Sequence, residues 1–578
     1  MKLLEALEIL RRPAPDDGPV LRASLACGFT PLHLETFLHA HLRQAFPARP
    51  VELTTGLFGD LPGNLERAGA SGAEAVAAVV EWSDVDPRLG LRSLGGWRST
   101  DVEDILSAAS SALDRLEHVL TGLAGDATVA CCLPTLPLPP LFSPSPGESG
   151  AHELRLRELV AAFGASLAGR PGVRVVSDQH LDASSPGAER RDVKGELTAG
   201  FPYKLGHASA LAGALVTLIR DVPPKKGLIT DLDDVLWSGL VGEVGGEGVG
   251  WTLDAGAQEH GLYQQLLASL ASAGVLVGVA SKNEAAFVQE AFRRDDIALA
   301  EDAVFPFEVN WGPKSESVTR ILDVWNIGPD AVVFVDDSPT ELAEVQAAFP
   351  DLECLLFPTG DHDGVLAFLG RLRELFGKRT VSDEDAIRLA SIRSAASAPA
   401  DEGSSGYSDD FLGSAGGEVT FTAAASAFPR AVELINKTNQ FNLNGRRVTE
   451  PELHKVLQDP DAFLLTVSYR DRFGPLGKIA TLLGRRAGDG LQVDSWVMSC
   501  RAFSRRIEHH FVAYLFERFG VEEIAFDYAP TPRNVVLREF MSSVADGEAS
   551  DQRLRMTRSA FLANAPALVH HVNEDKDE

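Results

Sequence analysis

The sequence is poor in cysteine and contains no long apolar run. Only five cysteines occur among 578 residues. Their number is odd and their spacing is not that of zinc ligands, so we interpret them as reduced thiols. No run of apolar residues approaches the length of a membrane span, and the first residues form a charged amphipathic pattern instead of a signal peptide. We therefore predict a cytoplasmic protein.

Positive charge is also scarce. The chain has 53 Lys and Arg residues against 82 Asp and Glu residues, which gives a net charge of −29. Proteins that bind nucleic acid or anionic membranes generally present a basic face, so we predict neither partner. Any phosphate site must then be locally basic or loaded with metal. The 45% hydrophobic content is ample for buried cores, and the length predicts three or more domains.

Two carboxylates, Asp231 and Asp233, follow a short apolar run that begins at Gly227. If this run is a strand, both side chains leave the same face at its carboxyl end. Acids this close repel one another unless a cation or a shared proton relieves them. Magnesium, bound by oxygen ligands and bridged to a phosphate, is the expected cation. An Asp at a strand end is often only a helix N-cap, so the pair is insufficient alone.

Two later segments add groups suited to phosphate. The apolar run Val275–Ala280 leads into Ser281, Lys282 and Asn283. This segment supplies a hydroxyl and backbone amides that are suited to holding phosphate oxygens. Lys314 follows in the segment Asn-Trp-Gly-Pro-Lys-Ser and is suited to neutralising negative charge that develops during phosphoryl transfer.

A second acidic pair, Asp336 and Asp337, follows the apolar run Ala331–Val335. With the three earlier segments it forms an ordered set that resembles the haloacid dehalogenase (HAD) superfamily of phosphatases over roughly residues 225–375. The resemblance implies Asp231 as nucleophile and Asp233 as acid/base. It also implies phosphate binding by Ser281 and Lys314, and a magnesium site at Asp231, Asp336, Asp337 and the backbone carbonyl of Asp233.

Other segments are similar to one branch of this superfamily, the FkbH-like family (HAD subfamily IIIC). They are residues 236–243, 281–283, 436–443, 471–474, 499–501 and 531–534. The resemblance implies an acetyltransferase-like (GNAT) C-terminal domain and a place in polyketide or related biosynthesis. It implies an enzyme that takes D-1,3-bisphosphoglycerate, removes phosphate and holds the glyceryl unit as a thioester. The unit then passes to the phosphopantetheine thiol of an acyl carrier protein.

Cys500 is the candidate thiol for this transfer. It lies between a predicted strand, Leu491–Met498, and a predicted helix, Ser504–Phe519. A helix N-terminus lowers the pKa of a thiol, and Arg501 adds a nearby cation. The resemblance implies that Cys500 carries the acyl group. The alternative is that Cys500 is only a small buried residue.

Three asparagines, Asn439, Asn442 and Asn534, are candidates for orienting the glyceryl hydroxyls, with structural capping as the alternative. Acetyltransferases of this type hold coenzyme A with a glycine-rich turn at a helix start. The corresponding residues 501–506 contain no glycine, which disfavours acetyl-CoA as donor. Arg505 and Arg506 in this stretch either contact the phosphate of the carrier arm or form a solvated helix face.

The first region, residues 1–222, alternates predicted strands with amphipathic helices and faintly resembles a flavodoxin-like or SGNH-hydrolase-like fold. Helices are predicted at Leu32–Ala45 and Val102–Leu123. The predicted strands are Leu21–Leu25, Val51–Thr55, Ala75–Val80, Ala127–Leu133 and Val173–Val176. A hydrolase of the SGNH type needs a serine after the first strand, where Cys27 stands instead. His207 lacks that partner, and we predict a degenerate, structural or docking domain.

The predicted fold class is a multidomain α/β protein. An SGNH-like domain (1–222) precedes a HAD-like parallel sheet (223–375). A solvated linker (376–412), a GNAT-like α+β domain (413–568) and an acidic tail (569–578) follow. Two other functions are open. One is a phosphatase of another small metabolite, coupled to CoA-dependent N-acylation. The other is a non-catalytic scaffold for carrier proteins.

Overall fold

The computed structural model describes residues 1–15, 18–94, 98–140, 147–220, 222–396, 409–423, 428–438, 440–472, 474–499, 502–503, 505–531, 534–544 and 554–575. The chain divides into two compact units. The first is Met1–Val222 with Glu450–Glu452, and the second is Pro223–Thr449 with Leu453–Glu578. The first unit thus ends where the sequence predicts its first domain to end. Both later predicted domains lie in the second unit.

The first unit is built on five parallel strands in the order β2-β1-β3-β4-β5. The strands are β1 (Leu21–Cys27), β2 (Val51–Thr55), β3 (Ala75–Val79), β4 (Thr128–Cys132) and β5 (Val173–Val175). The helices are α1 (Leu3–Arg11), α2 (Leu32–Ala45), α3 (Leu61–Ala70), α4 (Trp82–Val85), α5 (Val102–Leu123), α6 (Ala151–Ala168), α7 (Asp178–Ser184), α8 (Val193–Ala199) and α9 (Leu205–Arg220). The strands and helices predicted for this region are confirmed to within two residues.

Hydrophobic patterning explains these elements. All five residues of β3 are buried, as expected for a central strand of a parallel sheet that is covered on both faces. In α5 the buried residues recur at helical spacing, with Ile105, Ala109, Leu113, Leu116 and Leu120 on one side. That stripe packs into the core of the first unit.

A second parallel sheet, here called the central sheet, opens the second unit with the strand order β10-β9-β6-β7-β8. Its strands are β6 (Gly227–Thr230), β7 (Leu276–Ser281), β8 (Val304–Val309), β9 (Val332–Asp336) and β10 (Glu353–Leu356). The accompanying helices are α10 (Val241–Val244), α11 (Gln258–Ser272), α12 (Ala285–Phe292), α13 (Lys314–Trp325), α14 (Pro339–Ala348), α15 (His362–Phe376) and α16 (Asp383–Ala396). Because β6 is the middle strand and all its neighbours run parallel to it, the strand ends collect at two opposite edges of the sheet.

A mixed sheet, here called the C-terminal sheet, completes the second unit in the order β17-β16-β15-β14-β13-β11-β18, with β12 paired to β15. Its strands are β11 (Glu418–Thr422), β12 (Phe441–Asn442), β13 (Ala462–Asp471), β14 (Gly474–Ala487), β15 (Gly490–Met498), β16 (Glu523–Phe526), β17 (Leu554–Thr557) and β18 (His571–Asp575). The helices are α17 (Asp409–Ala415), α18 (Phe428–Lys437), α19 (Glu450–Val456), α20 (Ile507–Phe519), α21 (Val535–Val544) and α22 (Arg558–Asn564). Strands β13, β14 and β15 form antiparallel pairs, and β16 pairs parallel to β15.

Two segments differ from the sequence-based expectation. In the predicted solvated tail, His571–Asp575 forms β18, an edge strand parallel to β11. An edge strand is held by backbone hydrogen bonds, and the side chains of β18 are largely exposed, so no apolar alternation marks it in the sequence. In the predicted linker, α16 and the start of α17 are helical. Among the residues that the structure covers, no helix is long and apolar enough to cross a bilayer.

Candidate functional site

The predicted acids meet at the edge of the central sheet where the strands end. Asp231 follows β6 directly, and Asp336 is the last residue of the adjacent strand β9. Lys314 is the first residue of α13 and is almost fully buried. Since neighbouring parallel strands present their carboxyl ends together, the two acids and the lysine converge on one point. We refer to this group, together with Asp337, as the acid site.

Lys314 bridges the two buried carboxylates. Its Nζ lies 2.7 Å from Oδ2 of Asp231 and 2.5 Å from Oδ2 of Asp336. Asp336 also accepts a 2.8 Å hydrogen bond from the backbone N–H of Ser338 on its other oxygen, Oδ1. One lysine therefore serves two buried acids, with Asp337 beside them. The acid site carries more negative than positive charge.

The arrangement fits a divalent cation. Oxygen atoms of Asp231, Asp336 and Asp337 lie within 4.8 Å of one another. Within the described part of the chain, the buried Oδ1 of Asp231 has no hydrogen-bond partner, which is costly unless a bound cation or a substrate group satisfies it. Carboxylate oxygens are the ligands that magnesium prefers. These three residues are therefore suited to hold the predicted magnesium.

Burial and charge crowding shift the pKa values here. Burial raises the pKa of Asp231 and of Asp336, and the neighbouring Lys314 opposes the rise at both. Burial also raises the pKa of Asp337, as does the charge of Asp231. For Lys314, burial acts to lower the pKa, but the two carboxylates outweigh it and the pKa is raised. The raised pKa values of the three acids thus arise first from burial and then from repulsion between the acids, and a bound cation would oppose both by favouring the charged carboxylates.

Asp233 is held apart from this group by three donors. Its Oδ1 accepts hydrogen bonds from Nε1 of Trp237 at 2.8 Å and from the backbone N–H of Val241 at 3.1 Å. Its Oδ2 accepts from Nδ2 of Asn283 at 3.1 Å. The Asp233 side chain is not part of the three-carboxylate cluster. The predicted roles of Asp233, metal binding through its backbone carbonyl and proton transfer through its side chain, stay predictions.

The segment that follows β7 is only partly arranged as predicted. Ser281 is buried at the same edge, and its Oγ accepts a 3.1 Å hydrogen bond from Nδ2 of Asn283. Asn283 thus links Ser281 to Asp233. Lys282, in contrast, is engaged elsewhere, because its Nζ lies 2.8 Å from Oε1 of Glu341. Its charge is already matched, which disfavours Lys282 as a phosphate ligand.

Sequence reasoning missed the donors that position the acids. Trp237 and Val241 hold Asp233, and nothing in their spacing from it indicates this. The backbone N–H of Ser338 on Asp336 had a detectable signal. Ser338-Pro339-Thr340-Glu341 is the pattern of a helix start, and Oγ of Ser338 does accept from the backbone N–H of Glu341.

Three of the residues predicted for the C-terminal domain, Asn439, Cys500 and Arg501, lie outside the described residues. The two other asparagines are committed to the backbone. Nδ2 of Asn442 donates to the carbonyl of Thr438, and its Oδ1 accepts from the N–H groups of residues 444 and 445. Nδ2 of Asn534 donates to the carbonyls of residues 442 and 529. These contacts favour the capping alternative for both.

The two described arginines of the glycine-free stretch, Arg505 and Arg506, are near carboxylates. Arg505 is buried, with its Nε 3.6 Å from Oδ2 of Asp471. Nη2 of Arg506 lies 2.5 Å from Oδ1 of Asp409. A buried Arg505 is not the solvated helix face that the sequence left open, and its charge is partly matched within the protein.

In the first unit, His207 lies in a buried polar network. Its Nε2 is 2.9 Å from Oγ1 of Thr135 and its Nδ1 is 2.9 Å from Oγ of Ser185. The hydroxyl of Thr135 donates a 2.7 Å hydrogen bond to Oε1 of Glu81. His207 must therefore donate from Nε2 to Thr135 and accept at Nδ1 from Ser185. Cys27 at the end of β1 donates to the carbonyl of Phe29. His207 is therefore a neutral, buried residue that is hydrogen-bonded through both ring nitrogens, and the degenerate role of this domain stays a prediction.

This network predicts a specific pH dependence. Burial, aided by Arg190, lowers the pKa of His207 to about 3, below the value of about 6.5 in unfolded chains. Its stabilising contribution is complete above pH 6.5 and falls as pH decreases toward 3, because the unfolded chain takes up the proton first. The stability lost in His207→Gln at pH 7 should therefore shrink by about 2 kcal/mol at pH 5.

Hydrogen exchange of peptides covering β4, compared between the unaltered protein and His207→Gln at each pH, measures this difference in stability. His118 is solvent-accessible on α5, so His118→Gln is the matched control, and its stability difference from the unaltered protein should not depend on pH. If the stability difference between His207→Gln and the unaltered protein stays constant from pH 7 to pH 5, His207 is not buried in its neutral form.

The chain resembles a solved structure of the N-terminal part of the protein BF1531 from Bacteroides fragilis, which contains a phosphatase domain and is complexed with magnesium. The two share 18% sequence identity with a TM-score of 0.52, over 66% of this chain and 100% of that one. This level of identity shows a common fold alone. No protein-family model matches the chain, and no curated protein matches it in sequence.

Weaker likenesses occur to two other solved structures. One is the ribosomal-protein-S18-alanine N-acetyltransferase of Escherichia coli, with 9% identity and a TM-score of 0.18 over 24% of this chain and 90% of that one. The other is an extracellular lipase of Streptomyces rimosus, with 13% identity and a TM-score of 0.24 over 35% and 100%. Scores this low support no conclusion about fold or function.

Proposed function

We propose that the second unit is a magnesium-dependent phosphatase coupled to acyl transfer, of the FkbH-like kind. The observation that carries the phosphatase half is the unpartnered, buried Oδ1 of Asp231 at the carboxyl edge of a parallel sheet. Lys314 bonds the other oxygen of the same carboxylate. A carboxylate held by one oxygen and open at the other is suited to nucleophilic attack.

In the proposed reaction, Oδ1 of Asp231 forms a bond to phosphorus while the bond from phosphorus to the substrate oxygen breaks. Asp233 gives a proton to that leaving oxygen and later takes one from the water that cleaves the aspartyl phosphate. Lys314 and the hydroxyl of Ser281 stabilise the charge on the phosphoryl oxygens. The three carboxylates would hold magnesium, which would supply the positive charge that lets the acid and the phosphate approach each other. The products are the dephosphorylated acid and inorganic phosphate.

For the second half, we propose that Cys500 accepts the glyceryl group of D-1,3-bisphosphoglycerate. The thiolate forms a bond to the acyl carbon, and the bond from that carbon to the phosphate oxygen breaks, so inorganic phosphate leaves with the electron pair. The phosphopantetheine thiol of an acyl carrier protein then displaces the cysteine, so one thioester is exchanged for another. The acid site removes the remaining phosphate. The sequence resemblance across two segments of the chain supports this assignment.

The test is a loading assay with the full chain, 1,3-bisphosphoglycerate, magnesium and a holo carrier protein. We expect the carrier to gain the mass of a glyceryl group, measured by intact-protein mass spectrometry. Cys500→Ala should abolish loading, whereas Cys354→Ala, which changes a cysteine on β10, should load at the normal rate. Loading by Cys500→Ala at the normal rate would contradict the covalent intermediate.

The same assay separates the two alternative functions. An enzyme that acylates amines would transfer an acyl group from a CoA thioester and leave the carrier unmodified. A scaffold would bind the carrier without releasing phosphate from any acyl phosphate. Either result would replace the glyceryl-transfer proposal.

A further inference from the structure

A cavity lies within the second unit, away from the acid site. Its volume is about 110 Å³, and its walls come from both the central and the C-terminal sheets. Lys226 and Leu276 line it from the central sheet, and Lys437, Gln440 and Ser499 line it from the C-terminal part. Nζ of Lys226 donates a 3.0 Å hydrogen bond to the carbonyl of Lys437, so this lysine joins the two walls.

The cavity and the acid site lie at opposite edges of the central sheet. Lys226 immediately precedes β6 and Leu276 begins β7, whereas Asp231 immediately follows β6. A strand rises about 3.3 Å per residue, so the five steps from Lys226 to Asp231 span roughly 16 Å. A small molecule bound in the cavity therefore cannot reach the acids at the same time.

The chemistry of the cavity wall favours an anion. Four cationic side chains line it, and only two carboxylates accompany them; these residues are Lys226, Arg388, Arg430, Lys437, Asp330 and Glu433. Several of these charges already meet within the wall, since Glu433 is bonded by Arg430 at 2.5 Å and by Lys437 at 2.8 Å. The formal charge of the wall nevertheless stays positive in a chain whose net charge is −29, which makes the cavity a local attractor for anions.

The wall also offers an acceptor. Among the described residues, Oε1 of Gln440 is buried without a hydrogen-bond partner, although it lines the cavity. A buried carbonyl of this kind is stabilised by a donor such as a ligand hydroxyl. Anionic and hydroxyl groups together define the class of ligand, and the volume limits it to a small molecule.

We propose that this cavity is a second binding site for a small hydroxylated anion, a phosphorylated or carboxylated hydroxy acid, with Lys226 as one of its ligands. The site is argued from the cavity alone. Its use in presenting the acyl donor rests on the proposed function, because Ser499 in the wall is followed in sequence by Cys500.

The test is calorimetric titration of the full chain with 3-phosphoglycerate in the absence of divalent cations. We expect Lys226→Met to weaken binding at least about tenfold, as the loss of a charge-assisted hydrogen bond to an anion implies. Lys225→Met is the matched control. Lys225 also bonds a carbonyl at this edge, that of Asp330 at 2.8 Å, but it does not line the cavity, so binding should change less than twofold.

A second measurement covers the case in which Lys226→Met fails to fold. In the unaltered protein, 3-phosphoglycerate should protect Lys226 from amine-modifying reagents, as read by peptide mass spectrometry, and leave the exposed Lys455 unprotected. Binding that survives Lys226→Met but is lost in Lys314→Met would assign the anion to the acid site and overturn the proposal. Failure of carrier loading with Lys226-dependent binding intact would remove the proposed function and leave the cavity site standing.

Discussion

Replacing Asp231 by asparagine should lower kcat for magnesium-dependent phosphate release by at least about a thousandfold, because an amide cannot form the aspartyl phosphate. The substitution keeps the shape of a buried side chain. Release of the second phosphate of 1,3-bisphosphoglycerate, the one that the proposal assigns to the acid site, measures the effect. Circular dichroism and the melting temperature establish that the variant is folded.

The matched control is Asp234→Asn, three positions along the same loop. Asp234 has a φ of 53°, a left-handed conformation that asparagine tolerates. Its Oδ1 accepts a 2.8 Å hydrogen bond from the N–H of Gly239, and an asparagine oxygen can accept the same bond. Activity should stay within about threefold, since no reacting group is lost. A fully active Asp231→Asn enzyme would exclude phosphoryl transfer at the acid site.

Lys314→Met should be the most destabilising substitution in the second unit. Removing one partner of a buried ion pair costs about 3–5 kcal/mol because the opposite charge is left uncompensated. Here a single lysine contacts two carboxylates, Asp231 and Asp336. Urea denaturation without divalent cations should show the loss. Magnesium should recover part of it, because a ligand that binds only the folded state stabilises that state.

Lys282→Met is the control for this experiment. Lys282 also pairs with a carboxylate, Glu341, but its side chain is 37% exposed, and pairs of that kind contribute at most about 1 kcal/mol. The contrast between the two lysines tests the charge argument directly. Equal losses for both variants, or no recovery of Lys314→Met with magnesium, would contradict the charge balance inferred for the acid site.

Regular spacing of apolar residues in the sequence made many of the helices and strands predictable. The bounds of α2 and α5 follow from apolar residues at helical spacing, and the buried strands read as short apolar runs. The acid site was also within reach, because parallel strands bring the ends of β6 and β9 together whatever the residues between them. Asp231, Asp336 and Lys314 therefore meet as their positions indicate.

The features that could not be predicted from the sequence depend on contacts between residues that are distant along the chain. Lys282 sits beside a candidate phosphate ligand, yet Glu341 on α14 takes its charge, and nothing local reveals that partner. Strand β18 is recognised only through its pairing with β11. Asn442 and Asn534 resemble binding residues until their amides are seen to bond the backbone. In each case, contacts formed only in the folded protein decide which of several chemically possible roles the residue or segment takes.

Strand β6 has a consequence for the timing of the proposed reaction. Its four residues are all buried, and they separate the cavity at one end from Asp231 at the other. A substrate bound in the cavity therefore cannot present its phosphate to Asp231 without first leaving the cavity. In the proposed reaction the acyl group stays attached as a thioester, so the phosphopantetheine arm of the carrier is what can move it. The efficiency of the whole process would then depend on the reach of that arm.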